Sequence, residues 1–335
     1  MAAVEQQYLS SSGDVLLRPA EVPGADISCL AWSPVQNLLA AGAWDKTVSL
    51  WEVLPAEAVA RARYSLEAPV LCCSFSDGQH LISGGCDHKV TVRDLQAQQS
   101  MELGRHSAPV RYVSNLEEHQ LVVSGSWDKT VCFWSPQQQQ PVFTLQLPER
   151  VFAMDVKFPL MVVGCADRQV LTFDLSHLRS ELAPTSSTFS GLKMQTRSVC
   201  CFPDKSGFAL GGIEGRCWVK NLEDSSKSFT FKCHQFPDSA RAVNALDVHA
   251  AHPSLLATAG GDGSFIFWQK ADRKLLKRFE PSKVSLTAGK FNSSGYLFAY
   301  AVSYDWSKGH EAFREDAPRQ VGIHQCRLEE LAYVT

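Results

Sequence analysis

No two of the 11 cysteines stand as a Cys-x-x-Cys pair; they are scattered from Cys29 to Cys326, mostly inside apolar, strand-like runs. A thiol in such a run behaves as a small hydrophobe. An odd count without paired spacing argues against a disulfide framework or a zinc site, so the expected compartment is reducing, cytosol or nucleus. Long apolar runs are also missing. Nothing approaches the roughly 20 consecutive apolar residues of a membrane helix. The stretch Met1 to Gly13 is polar where a signal peptide would be apolar. Nor is there an excess of positive charge. With a net charge of −3 over 335 residues, no global field draws in nucleic acid, and such a contact would need a local patch.

Catalytic signatures are absent as well. The phosphate-binding, dinucleotide-binding, zinc-protease and serine-hydrolase motifs do not occur. His249 and His252 stand as His-x-x-His without a cysteine pair or carboxylate at ligand spacing, and a surface turn explains them better. Cys86 and His88 flank an acid, and Cys233 and His234 are adjacent, but neither makes a tetrahedral set. The expectation is no catalytic residue, no metal and no cofactor: a binding platform rather than an enzyme.

What is present is a repeat. Leu39 to Trp51, Leu81 to Arg93 and Val122 to Trp134 each give an apolar strand, a glycine-containing approach, an Asp-led turn and an alternating strand. Weaker copies run Val162 to Phe173, Ala209 to Lys220 and Leu256 to Trp268, and a degenerate seventh runs Phe298 to Trp306. The turn acids Asp45, Asp87, Asp128, Asp167, Glu214, Asp262 and Asp305 lie 39 to 48 residues apart, close to the roughly 40–45 residues of a four-stranded WD-type blade. A second strand series precedes each hairpin, from Ile27, Val70, Val110, Val151, Ser198, Val243 and Leu286. Trp51, Trp134, Phe173 and Trp268 fall six residues after a turn acid, where strand alternation points them at the adjacent blade.

The fold expected is therefore all-β: a seven-bladed WD-repeat β-propeller forming a single domain over residues 27–326. An N-terminal arm, 1–26, precedes it and a tail, 327–335, follows. The final blade is one strand short, and Asp14 to Arg18 is the segment expected to supply it and close the ring. Gln137 to Gln140, Ser180 to Gly191 and Lys308 to Gln320 read as solvated connections.

Surface features remain. Trp44 and Trp127 stand just before turn acids, at the rim, where tryptophan is either a partner anchor or a wedge between blades. Lys46, Lys89, Lys129, Arg168 and Arg216 give either a positive face or scattered solvated charges. Phe229 to His234 is strand-like without an evident place in the repeat. Ser303-Tyr-Asp-Trp-Ser-Lys-Gly-His-Glu311 replaces the last hairpin with aromatic and charged residues, and such departures are where function is expected.

These departures carry a resemblance. Leu147-Pro-Glu-Arg150, Ile213-Glu-Gly-Arg216, Phe231-Lys-Cys-His234 and Gly260-Gly-Asp-Gly263 resemble the WD-repeat messenger-RNA export factors of the nuclear pore, close relatives of the mitotic-checkpoint WD-repeat proteins. Ser303 to Glu311 is similar to the export branch, whereas Leu192 to Arg197 reads about as well in the checkpoint branch. The resemblance implies a scaffold in a heteromeric complex, in the nucleus, nuclear envelope and cytoplasm, held by a phenylalanine-glycine nucleoporin through a short acidic-hydrophobic peptide. Arg216 and Lys232 match its basic motif positions, and His234 is expected in the same peptide site. Gln235 stands where the family usually has a basic residue, which would replace a charge-assisted pair by a weaker neutral bond. With Trp44 and Trp127 these make up the expected peptide site. Tyr304, Asp305, Trp306 and Lys308 are the expected contacts for single-stranded RNA or a partner. The alternatives are a checkpoint adaptor for kinetochore kinases and, from another class, a propeller enzyme or a ubiquitin-ligase substrate receptor.

Overall fold

Alternation along segments such as Thr47-Val-Ser-Leu-Trp-Glu-Val53 sets a strand period of two, and the short turns between segments make each strand pair with the next. In the computed structural model, which describes residues 13–17, 21–55, 57–176, 178, 182–236 and 239–331, this gives seven four-stranded antiparallel sheets. Blade 1 is Ile27–Trp32, Leu38–Ala43, Thr47–Val53 and Ala58–Ser65. Blade 2 is Val70–Phe75, His80–Gly85, Lys89–Asp94 and Gln99–Arg105, and blade 3 is Val110–Leu116, Leu121–Ser126, Thr130–Trp134 and Pro141–Gln146. Blade 4 is Val151–Lys157, Leu160–Cys165, Gln169–Asp174 and Ser186–Phe189; blade 5 is Thr196–Cys201, Gly207–Gly212, Arg216–Asn221 and Phe229–Lys232. Blade 6 is Val243–Val248, Leu255–Gly260, Phe265–Gln269 and Lys274–Phe279. The first strands of successive blades adjoin one another around the axis, and blade 7 adjoins blade 1, so the ring is closed.

Blade 7 holds Leu286–Phe291, Leu297–Val302 and Gln320–Gln325, and Val15–Leu16 completes it as the outer strand, with Val15 opposite Ile323 and Leu16 opposite Gly322. The expected closing strand is thus in place, although Arg18, at the end of the expected segment, lies outside the described residues. Asp14 fastens it. Its carboxylate accepts the Tyr300 hydroxyl at 2.8 Å and faces His324 Nδ1 at 2.7 Å, with all three side chains buried.

Neighbouring blades are held by the repeat's own residues. The aromatic six positions after the turn acid packs backwards: Trp51 against Ala299, Ala301 and Val321 of blade 7, Trp134 against Val90 and Leu103 of blade 2, and Trp268 against Cys217 and Val219 of blade 5. Burying about 150–250 Å² of such a ring at about 25 cal/mol/Å² is worth at most about 4–6 kcal/mol. The turn acids order their own hairpins. Asp45, Asp128 and Asp262 accept the backbone N–H two residues on at 3.0–3.1 Å. The residue after each acid is left-handed: φ is 69° at Lys46 and Lys129, and glycine takes the place in Gly215 and Gly263.

Three segments depart from the sequence reading. Phe229–Lys232 has a repeat role after all, as the outer strand of blade 5 against Arg216–Val219. The connection expected from Ser180 to Gly191 contains Ser186–Phe189, the outer strand of blade 4; its polar composition suits an edge exposed to water, which is why it read as a loop. Ser180 itself lies outside the described residues. In blade 7 the third strand is delayed to Gln320–Gln325, so Gln320 belongs to a strand and the excursion ends before it. No helix among the described residues is long and apolar enough to cross a membrane.

Two buried histidines tie the connection entering a blade to that blade's hairpin. His106 faces Asp128 at 2.8 Å through Nδ1 and Ser124 Oγ at 2.7 Å through Nε2, and the Trp134 indole donates to the same hydroxyl at 2.6 Å. Burial opposes the imidazolium, but Asp128 and then Cys132 more than offset it and raise His106 to about 9, while the histidine pulls Asp128 far below the usual range. The sign follows. The raised His106 contributes stability fully below its unfolded value of about 6.5, and that contribution is lost as pH rises towards 9. The depressed Asp128 contributes above about 3.9 and loses its share as pH falls below that value. His106→Ala is expected to cost about 3 kcal/mol in urea unfolding at pH 6, and the gap to the wild type should narrow as pH approaches 9. A constant gap would contradict the assignment.

Candidate functional site

Every first strand carries a β-bulge one residue after its start, in all seven blades. The extra residue has no ladder partner. It is Ser28, Leu71, Arg111, Phe152, Arg197, Asn244 or Thr287 in blades 1 to 7, and each of these lines the axial cavities. A bulge re-aims a side chain in this way, and here the repeat builds a channel from one residue per blade.

The channel opens on the face that carries the turn acids, in a cavity of about 570 Å³. Trp44, Trp127 and Ile213 line it from the hairpin turns of blades 1, 3 and 5; Ala240 to Ala242 line it from the connection into blade 6; and Tyr304 to Lys308 line it from blade 7. The blade 7 excursion is built on aromatic contacts. Trp306, with φ 58°, stacks on Phe313 at 5.3 Å and 14°, lies 5.7 Å from Trp44 and 5.6 Å from Tyr304. The Tyr304 hydroxyl donates to Gly309 O at 2.8 Å and accepts the Lys308 N–H at 3.2 Å. Trp306 and Trp44 remain 38% and 40% exposed, a cost in apolar hydration that a partner would remove. The Trp127 indole N–H has no acceptor among the described residues.

Charge at the mouth is one-sided. Arg111, Arg197, Arg241 and Lys308 line it against one acid, Asp305. That acid is turned inward: it is 6% exposed, accepts Asn244 Nδ2 at 3.2 Å and Ser307 N at 3.1 Å, and its carbonyl accepts Arg197 Nη2 at 3.3 Å. Burial, and then the charge of Arg111, lower the pKa of Arg197.

Six of the residues expected from sequence therefore meet: Trp44, Trp127, Tyr304, Asp305, Trp306 and Lys308 all line this mouth. Arg216 and Lys232 stand apart from the lining, as cross-strand neighbours in blade 5, with Lys232 exposed and Arg216 half-buried. Gln235 lies in the small hairpin Gln235–Phe236 and Ser239–Ala240, half-buried, with its Oε1 unbonded among the described residues. His234 must be reassigned. It is 0% exposed, facing Asp262 at 2.8 Å and Thr258 Oγ1 at 2.9 Å, with the Trp268 indole on the same hydroxyl. It repeats the His106 arrangement and holds blade 6, so it does not touch a partner directly. Of the two readings of the rim cations, paired surface charge holds for Lys89, which pairs with Glu67 and Glu102, and for Lys129, which pairs with Glu149. Arg111, Arg197, Arg241 and Lys308, inside the mouth, make no ion pair among the described residues. His249 serves a turn, its Nδ1 accepting from Ala251 and His252 N at 3.2 Å, and no three potential ligands cluster for a metal among the described residues.

Arg111, Arg197, Arg241 and Asn244 were missed in the sequence. A signal exists for Arg111 and Asn244: in six blades the bulge residue follows the apolar residue that opens the first strand, as in Val110-Arg111 and Val243-Asn244, whereas Arg197 follows Thr196. Without the bulge, alternation would be read as turning it into a blade interface.

The WD domain, G-beta repeat model matches residues 20–52, 62–94, 97–135 and 225–269. The chain is 39% identical to the mRNA export factor GLE2 of Chaetomium thermophilum, over 90% of this chain and 88% of that protein. The chain belongs to the WD-repeat mRNA export factor family. Other members give the same picture: it is 36% identical to the Poly(A)+ RNA export protein of Schizosaccharomyces pombe, over 93% and 91% of the two chains, and 37% identical to Protein Rae1 of Drosophila melanogaster, over 92% and 93%. Within this member of the export factor family, the excursion from Ser303 to Arg319 is held by Trp306 rather than by strand pairing. Trp306→Ala removes a stack worth about 1 kcal/mol and should speed tryptic cleavage after Lys308 and Arg314 several-fold, with the melting temperature nearly unchanged. Cleavage at the wild-type rate would contradict that role.

Proposed function

We propose that this chain is a non-enzymatic scaffold of the nuclear pore that binds a short acidic-hydrophobic nucleoporin peptide on its turn-acid face and supports messenger-RNA export, with single-stranded RNA at the channel mouth. On this reading it resides in the nucleus, at the nuclear envelope and in the cytoplasm, within a heteromeric complex. The observation that carries the proposal is the mouth itself, where Trp44, Tyr304 and Trp306 stand beside four cations and one inward-turned acid. Aromatic faces accept bases regardless of sequence, at about 1–3 kcal/mol per stacked base. Arg241 and Lys308 line the same mouth and supply locally the positive charge that the chain lacks overall and that a strand's phosphates would need. The names of the relatives support the export role. Arg216 and Lys232 offer a separate pair of cations to an acidic peptide, outside the RNA-facing lining.

Two measurements separate the parts. Affinity purification with mass spectrometry, with and without nuclease, should recover a phenylalanine-glycine nucleoporin in both samples, and Arg216→Glu with Lys232→Glu should reduce recovery at least tenfold. Kinetochore kinases in place of the nucleoporin would overturn the pore reading in favour of the checkpoint branch. Fluorescence anisotropy with a labelled oligoadenylate should show about tenfold weaker binding for Trp306→Ala and a shallower salt dependence for Lys308→Ala. Unchanged affinity in both variants would remove RNA from the mouth.

A further inference from the structure

Below the aromatic mouth, the channel holds two arginines at equivalent bulge positions of blades 3 and 5, with one blade between them. Both line the mouth cavity and the cavity beneath it. Neither guanidinium makes an ion pair among the described residues. Arg111 donates to the Leu71 carbonyl at 3.3 Å, and Arg197 to Asn244 Oδ1 at 3.2 Å and to the Asp305 carbonyl at 3.3 Å. All three acceptors are neutral, which leaves N–H donors on each fork. Two like charges sharing a partly desolvated channel repel each other. Asp305, which lines the same cavity, attracts Arg197, but its carboxylate bonds Asn244 Nδ2 and Ser307 N and makes no ion pair with either arginine among the described residues. Lys290, the other cation lining the lower channel, has its own acid, Asp247, at 3.3 Å.

We infer that Arg111 and Arg197 form a phosphate-binding site inside the channel, which takes a phosphate or pyrophosphate group entering through the mouth. The charge count favours phosphate: a dianion balances two guanidiniums, and planar forks match its oxygens two at a time. Thr287 and Ser28, bulge residues of blades 7 and 1, add hydroxyls to the lining. The phosphate comes either from a free phosphorylated molecule or from the backbone of a strand held at the mouth. The site needs neither the RNA reading nor the nucleoporin reading, because pyrophosphate carries no base.

The test is calorimetric titration of the full chain with sodium pyrophosphate at low salt, on wild type, Arg111→Gln, Arg197→Gln and, as a rim control, Lys129→Gln. The wild type and the control should bind alike, and each arginine variant at least tenfold more weakly. Melting curves guard against misfolding. Without pyrophosphate, Arg111→Gln should melt no lower than the wild type, because a repulsion is relieved; with pyrophosphate, the wild type should rise and the arginine variants should not. Absence of wild-type binding at millimolar pyrophosphate, or equal binding by the arginine variants, overturns the site. So does binding of an acidic peptide that depends on both arginines where pyrophosphate does not bind. An oligoadenylate arm identifies the source: competition with pyrophosphate assigns the phosphate to the RNA backbone, and independent binding assigns it to a free phosphorylated molecule.

Discussion

Blades 1 to 5 each touch the next through a glycine, and alanine takes the equivalent place in blades 6 and 7, at Ala259 and Ala301. A methyl group added to Gly42 would lie 2.6 Å from Val70 Cγ1, one on Gly84 would lie 2.6 Å from Val110 Cγ1, and one on Gly211 would lie 2.8 Å from Val243 Cγ1. The second strand of one blade thus meets the first residue of the next blade at a distance that admits no side chain. The contact anchors the valine, and the bulge that follows turns the next residue into the channel. Packing between these blades and the channel lining therefore share one constraint. It also accounts for the small residues of second strands such as Leu38–Ala43, which are buried on both faces while the outer strands meet water.

Most of this architecture was legible because it repeats. The turn acids, the backward-packing aromatics and six of the seven first-strand starts carry their patterns openly, and so did the missing strand that Val15–Leu16 supplies. Outer strands were less legible. Ser186–Phe189 and Phe229–Lys232 pair on one side only, and an edge exposed to water imposes weak demands on composition. At the site, the residues that break the repeat were the readable ones: Trp306 and Lys308 stand out because a hairpin should be there. His234 misled because its motif is specific while its role is structural. Arg111 and Arg197 were hidden for the opposite reason, since they occupy ordinary strand positions that only the bulge turns inward.

The division of labour follows from the geometry. The wall is rigid, fastened by buried polar clusters such as His106 with Asp128 and His324 with Asp14. The part free to adapt is the excursion between the second and third strands of blade 7, held by stacked rings and a few backbone bonds. It leans over the channel and brings its aromatic face next to the cations that the bulges supply.

Hydrogen–deuterium exchange of the chain alone and within the complex recovered from cells tests most directly whether this face is the working surface. The account predicts protection in the complex at residues 303–319 and 240–244 and at the turns containing Trp44 and Trp127. Protection confined to the opposite face, at connections such as Ser33 to Asn37 and Asn292 to Tyr296, would contradict it.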